Sequence, residues 1–140
     1  MQVQDLMSTQ VISIAPEESA ALAARLLHRH NIGILPVCGA GQRLQGVITD
    51  RDIVLRCVAA GLDPQRTQVR ELMSNHVVSV TPEEDARTAA ALMGQEQIRR
   101  LPVCRSGMLV GMLSLGDLTQ GNAIEASEAL CEISRNILRL

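Results

Sequence analysis

A mixed α/β fold of the α+β type, one β-α-β-β-α unit written twice with a further C-terminal helix, is what this 140-residue sequence predicts. Three observations lead there. Val-Gln-Asp-Leu-Met-Ser at Val3–Ser8 returns as Val-Arg-Glu-Leu-Met-Ser at Val69–Ser74, an offset of 66 residues (69 − 3). Within each copy the apolar pattern passes from alternation to helical spacing and back to short apolar runs. The residues after Gly121 carry apolar positions at helical spacing with no counterpart in the repeat.

The register of the two copies holds through Val11/Val77, Ser13/Ser79, Pro16-Glu17-Glu18/Pro82-Glu83-Glu84, Ile32/Ile98 and Leu35-Pro36-Val37-Cys38/Leu101-Pro102-Val103-Cys104. One residue is then lost in a turn, so that Gly46 pairs with Gly111 and Asp52 with Asp117. Two copies point to a pseudo-twofold module, with the sheets of two units too small to bury both faces alone packed against each other.

Each element has a local reason. Ile12 and Ile14, like Val78 and Val80, alternate with polar neighbours and predict a short half-buried strand. A helix follows; in the second copy Thr81 is expected to cap it, with Pro82 at its first position and Glu84 closing a capping box. Ala15 stands where Thr81 does, so the first copy is expected to be capped more weakly. Ala20, Ala23, Ala24 and Leu27, matched by Ala86, Ala89, Ala90 and Met93, form the stripe of a core-facing helix. Leu35–Cys38 and Leu44–Ile48 read as strands joined at Gly39-Ala40-Gly41, and Leu101–Cys104 and Met108–Leu113 as strands joined at Ser106-Gly107. A second helix starts near Asp50 and ends before Gly61, and Gly61–Gln68 links the copies. Residues 1–62, 63–120 and 121–140 are thus expected to be repeat 1, repeat 2 and a C-terminal amphipathic helix. In that helix Ile124, Leu130, Ile133, Ile137 and Leu140 make the apolar face, and Asn122 with Glu125 resembles a capping box.

Composition narrows the function. A formal net charge of −2 argues against a protein held to nucleic acid by phosphate neutralisation. The chain has no Phe, Tyr or Trp, so it offers no stacking platform for bases and no aromatic membrane anchor. No apolar run is long enough to span a bilayer, and Met1-Gln2-Val3-Gln4-Asp5 has neither the basic region nor the apolar core of a signal peptide. The expectation is a cytoplasmic protein whose four cysteines stay reduced.

Leu-Met-Ser before a Val/Ile-Ser strand, then Pro-Glu-Glu, Leu-Pro-Val and Gly-Val-Ile-Thr-Asp-Arg-Asp-Ile, resembles the CBS-domain pattern, and both copies carry it from Val3 to about Gln120. The resemblance implies a tandem pair folded as one disc, a Bateman module. It implies symmetry-related clefts between the repeats that accept AMP, ATP, NAD or S-adenosylmethionine, with no required cofactor. It further implies a homodimer that regulates an effector protein in trans and is not itself an enzyme.

The family's ligand signature is a small hydroxyl residue followed three positions on by aspartate, at Thr49-Asp50-Arg51-Asp52 and Ser114-Leu115-Gly116-Asp117. A carboxylate accepts two hydrogen bonds from a ribose diol, and the hydroxyl suits a phosphate or ribose oxygen. The same spacing is also a helix N-cap with an acid in the first turn, and one residue can do both. By the resemblance Thr49, Asp52, Ser114 and Asp117 hold ribose and phosphate. Arg99 and Arg100, preceding Leu101-Pro102, reach the phosphates. Gly33 and Ile34 replace them in the first copy, so the two clefts are expected to differ. Arg51 is a further phosphate candidate, or the partner of Asp50 or Asp52 in a surface ion pair. Val11 and Val77 mark the adenine pocket by resemblance and are equally readable as core valines.

Two other classes remain open on the residues. One is an interaction module that binds no nucleotide, dimerises through its helices and docks a partner by its C-terminal helix. The other is a metal- or redox-responsive module drawing on His28, His30, His76 and the cysteines Cys38, Cys57, Cys104 and Cys131. No Cys-x-x-Cys or zinc spacing is present, and His28 and His30 point in different directions from one helix end, so no metal site is expected. P-loop, dinucleotide-binding and nucleophile-elbow motifs are absent, which favours a sensor over an enzyme.

Overall fold

The computed structural model describes residues 1–120 and 123–138. In chain order the elements are α1 (Val3–Leu6), α2 (Ala20–His30), β1 (Ile34–Cys38), β2 (Leu44–Thr49), α3 (Asp50–Ile53), α4 (Ala86–Glu96), β3 (Arg100–Arg105), β4 (Met108–Ser114), α5 (Leu115–Leu118) and α6 (Ala123–Leu138). α3 runs on as a π-helical stretch over Val54–Val58, and a 3-10 turn covers Val69–Glu71. Two compact units result: Ile12–Val77, and Met1–Val11 together with Val78–Leu140.

These units are not the sequence copies. The Leu-Met-Ser segment that opens each copy completes the unit built on the other copy's hairpin. In the Ile12–Val77 unit β1 and β2 pair antiparallel from Ile34 with Thr49 to Cys38 with Leu44, and Ser74 bridges Val47 on the outer edge of β2. In the other unit β3 and β4 pair from Arg100 with Ser114 to Arg105 with Met108, and Ser8 bridges Met112. A glycine admits each of these neighbours: a Cβ at Gly46 would lie 2.5 Å from the Ser74 carbonyl oxygen, and one at Gly111 would lie 2.9 Å from that of Ser8. No side chain fits under a backbone that close.

The strand expected at Ile12–Ile14 contracts to a single bridge, Ile14 parallel to Val37, and its counterpart to Val80 parallel to Val103. Proline is the reason. Ile14 N–H donates to Pro36 O (3.0 Å) and Cys38 N–H to Ile14 O (2.9 Å). The next rung on one side would need an N–H from Pro36, and on the other an N–H from Pro16; neither exists. Pro102 and Pro82 stop the second copy in the same way, around Val80 N–H to Pro102 O (3.1 Å) and Cys104 N–H to Val80 O (2.8 Å).

The helix starts also move. Pro82 does not open α4 and Thr81 does not cap it. α4 begins at Ala86, capped by Asp85, whose side chain accepts from Arg87 N–H, and α2 begins at Ala20, capped by Ser19, whose hydroxyl accepts from Leu22 N–H. The backbone donation from Arg87 holds the Asp85 carboxyl below its ordinary value. The Pro-Glu-Glu carbonyls are taken by the docked segments instead: Val3 N–H donates to Glu84 O (2.8 Å), Gln4 N–H to Pro82 O (2.9 Å), Val69 N–H to Glu18 O (2.8 Å) and Arg70 N–H to Pro16 O (3.0 Å). Glu84 does close back on Thr81 N–H (2.9 Å), but as a turn ahead of the helix.

Each unit buries its hairpin under its helices. Leu35 and Ile48 in one unit, and Leu101 and Leu113 in the other, are fully buried, a gain of about 1.5–3 kcal/mol per side chain on transfer from water. The expected stripe holds in α4, where Ala86, Ala89, Ala90 and Met93 are all buried. In α2 it rotates: Ala24 is exposed and Ala21 is buried in its place. α6 packs on α4 and α5 with Ile133 inward as the spacing predicts, but with Ala126 and Ala129 beside it in place of Ile124 and Leu130. Ile124 is 73% exposed and Leu130 47%. Small residues on both helices let the axes approach: a Cβ at Gly94 would lie 3.3 Å from Ala129 Cα. Asn122 and Leu140, and the side chain of Ile137, lie outside the described residues, so the Asn122–Glu125 box and that end of the apolar face do too.

Candidate ligand site

Thr49 and Ser114 each end a strand in extended backbone and begin a short helix. Thr49 Oγ1 accepts from Asp52 N–H (3.1 Å) while Asp52 Oδ2 accepts from Thr49 N–H (2.9 Å). Ser114 Oγ accepts from Asp117 N–H (3.0 Å) while Asp117 Oδ2 accepts from Ser114 N–H (2.8 Å). Both pairs are therefore reciprocal capping boxes, the bland alternative of the sequence reading realised twice. A box uses one carboxylate oxygen and leaves the other for a second task.

The second oxygen has a different fate in each unit. Asp52 Oδ1 faces Arg56 Nε at 3.9 Å, and the Asp52 side chain is only 16% exposed. Arg56 is held in turn by Nη1 donating to Leu72 O (3.1 Å). The sequence position matching Arg56 is Gly121, and among the described residues Asp117 forms no ion pair. Arg51, considered as a partner of Asp50 or Asp52, pairs with neither; Arg56, four residues along the helix from Asp52, is the partner the sequence reading passed over. The i, i+4 spacing was its signal.

Arg100 is the cross-strand neighbour of Ser114, and Arg99 O accepts from Leu115 N–H (2.8 Å). Both arginines are exposed, and neither forms an ion pair among the described residues. Ser114, Asp117, Arg99 and Arg100 thus meet at the end of one hairpin. In the other unit Ile34 is the neighbour of Thr49, and Gly33 O accepts from Asp50 N–H (3.0 Å). The backbone is the same; the cations are missing. Val11 and Val77 are half-buried and belong to neither buried core, Val11 falling in the unit of Ser114 and Val77 in that of Thr49.

Cys38, Cys57 and Cys104 are buried thiols and Cys131 is exposed. Burial pushes the Cys104 thiol up, against a weaker opposing hydrogen bond with Ser79. Among the described residues no three His, Cys, Asp or Glu side chains are grouped to hold a metal ion, and no helix is long and apolar enough to cross a membrane.

The family model for the CBS domain matches twice, at residues 3–58 and 69–121. The CBS domain-containing protein YhcV of Bacillus subtilis (strain 168) is 45% identical over 134 residues, covering 94% of either chain. The crystal structure of hypoxic response protein I with two coordinated zinc ions superposes with a TM-score of 0.80 at 34% identity, covering 86% of this chain and 98% of that one. A CBS domain pair solved in complex with 5-methylthioadenosine and S-adenosyl-L-methionine superposes with a TM-score of 0.74 at 26% identity, covering 86% and 94%.

Proposed function

The chain belongs to the CBS-domain family as a tandem pair, and on that premise we propose that it is a regulatory sensor of adenosine-containing ligands. The nucleotide is held by the Ser114–Asp117 end of the β3–β4 hairpin, and its occupancy is relayed to a partner protein. One observation carries the reading: among the described residues Asp117 keeps a carboxylate oxygen outside any ion pair, at the same hairpin end as two exposed arginines that form none either. That set matches a ribose diol on one side and phosphate on the other. The solved relative holding S-adenosyl-L-methionine supports the ligand class.

Thermal unfolding by circular dichroism against AMP, ADP, ATP, NAD, NADH and S-adenosylmethionine tests it, since the chain has no Trp or Tyr for fluorescence. A ligand at a hundred times its Kd adds about 2.7 kcal/mol, a shift of several degrees. A shift with one or more of them, abolished in Asp117→Ala, is the expected result. No shift with any at millimolar concentration would overturn the reading.

A second reading has its own observation. Val54, Leu55, Val58 and Leu62 are each 46–61% exposed on and just after the π-helical stretch, a cluster of large apolar side chains in water. We assign this face to a homodimer contact. Relatives solved as hexameric CBS-CP12 proteins support self-association. Sedimentation of Val58→Asp beside the wild type reads it out; an unchanged oligomer would remove the assignment.

A further inference from the structure

The two hairpin ends share a backbone, and beyond the missing arginines they differ in an acid at one matched position. Leu115 N–H donates to Arg99 O and, at the matching position, Asp50 N–H donates to Gly33 O. Leu115 turns onto the buried core of its unit. Asp50 is exposed, and its carboxylate lies over residue 33: a Cβ built on Gly33 would find Asp50 Oδ2 at 3.4 Å and Asp50 Oδ1 at 3.8 Å. Asp50 Oδ1 is steadied there by Arg51 N–H (2.8 Å). An acid therefore occupies the root from which an arginine side chain leaves in the other unit. Arg56, which contacts this end at Asp52, is already shared between Asp52 and Leu72 O.

We propose that Asp50 is a specificity-determining residue: it turns phosphate-bearing ligands away from the Thr49–Asp52 end and leaves the Ser114–Asp117 end as the nucleotide site. This rests on the adenosyl-sensor reading above. A phosphate placed where Arg99 and Arg100 would receive it in one unit meets a like charge in the other, and like charges at that range cost about tenfold in binding even when partly screened. A neutral nucleoside has no such penalty. The two ends then sort adenosyl compounds by charge, one for nucleotides and one for nucleosides.

Titration calorimetry of the full chain with AMP and with adenosine tests this, in the wild type, in Asp117→Ala, and in Asp117→Ala with Asp50→Ala. The wild type is expected to take AMP at one site per chain. Asp117→Ala is expected to lose that site and to bind adenosine at least tenfold more tightly than AMP. Adding Asp50→Ala should raise AMP affinity about tenfold while adenosine stays within twofold. Unchanged AMP affinity on adding Asp50→Ala overturns the charge filter, as does an equal rise for both ligands, which would mark an effect of shape. Two AMP sites of equal affinity in the wild type overturn it too. No binding of AMP or adenosine to the wild type overturns the sensor reading, and the filter with it.

Discussion

The Ile12–Val77 unit and the unit built on β3 and β4 are the same construction finished in two ways. Both have the hairpin with one bulge, the single parallel bridge, the glycine under a docked Leu-Met-Ser segment and the reciprocal capping box. They diverge at their surfaces. The first pairs Asp52 with Arg56, carries Asp50 over Gly33, and leaves apolar side chains exposed beyond α3. The second has two arginines at the Ser114–Asp117 end that form no ion pair among the described residues, and covers α4 with α6. What is shared holds the fold, and what differs is where a ligand or partner would tell the two apart.

The strongest way to break the shared part is at the glycines. Gly46→Ala drives a methyl to 2.5 Å of a backbone oxygen that sheet pairing holds in place, so a loss of about 3 kcal/mol is expected in urea unfolding. At Gly111 the nearest atom is the flexible Met7 Sδ at 2.7 Å and the carbonyl is further off, so Gly111→Ala should cost about half as much. Equal losses would show that the two docked segments are equally rigid.

Next comes the covered helix. His28 matches Gly94, over which Ala129 lies, so α2 lacks the flat surface that receives α6 on α4. Gly94→His should displace α6 and cost about 2 kcal/mol. His28→Gly should cost only about 0.5 kcal/mol through helix propensity alone. Amide exchange along α6, accelerated only in Gly94→His, separates the two.

The ligand comparison follows. Asp117→Ala should weaken nucleotide binding at least tenfold, about 1.4 kcal/mol, and Asp52→Ala should leave it within twofold; calorimetry gives both. A similar loss from either would make the sites equivalent. The smallest effect concerns the caps themselves: Thr49→Ala and Ser114→Ala should each cost about 1 kcal/mol in thermal unfolding. Matching values would confirm that the boxes are structurally equal despite their different surroundings.

Much of this was legible in the residues. The two-copy period, the hairpins with turns at Gly39-Ala40-Gly41 and Ser106-Gly107, and the hydroxyl-to-aspartate pairs at Thr49/Asp52 and Ser114/Asp117 depend on local rules, and local rules read directly. Three features escaped because distant partners decide them. Identical Leu-Met-Ser segments carry no sign of which hairpin each will join. Thr81-Pro82-Glu83-Glu84 has a helix-start pattern, yet its carbonyls are claimed by Val3 and Gln4 from the far end of the chain. The inward face of α6 was legible only at Ile133, because close approach selects Ala126 and Ala129 over the larger Ile124, and spacing weighs only hydrophobicity. The Pro36 and Pro102 ladder stops were visible, but only once the pairing partner was known.

The exchange of Leu-Met-Ser segments also sets an order of events at the ribosome. The Ile12–Val77 unit is continuous in the chain, so it can close as soon as Val77 has emerged. Val3, synthesised before any of it, has its carbonyl partner at Glu84, and must wait unseated while a whole unit folds between them. A segment made ahead of that unit docks only after it, and until then the groove beside Gly111 stands open to any other strand of the same sequence.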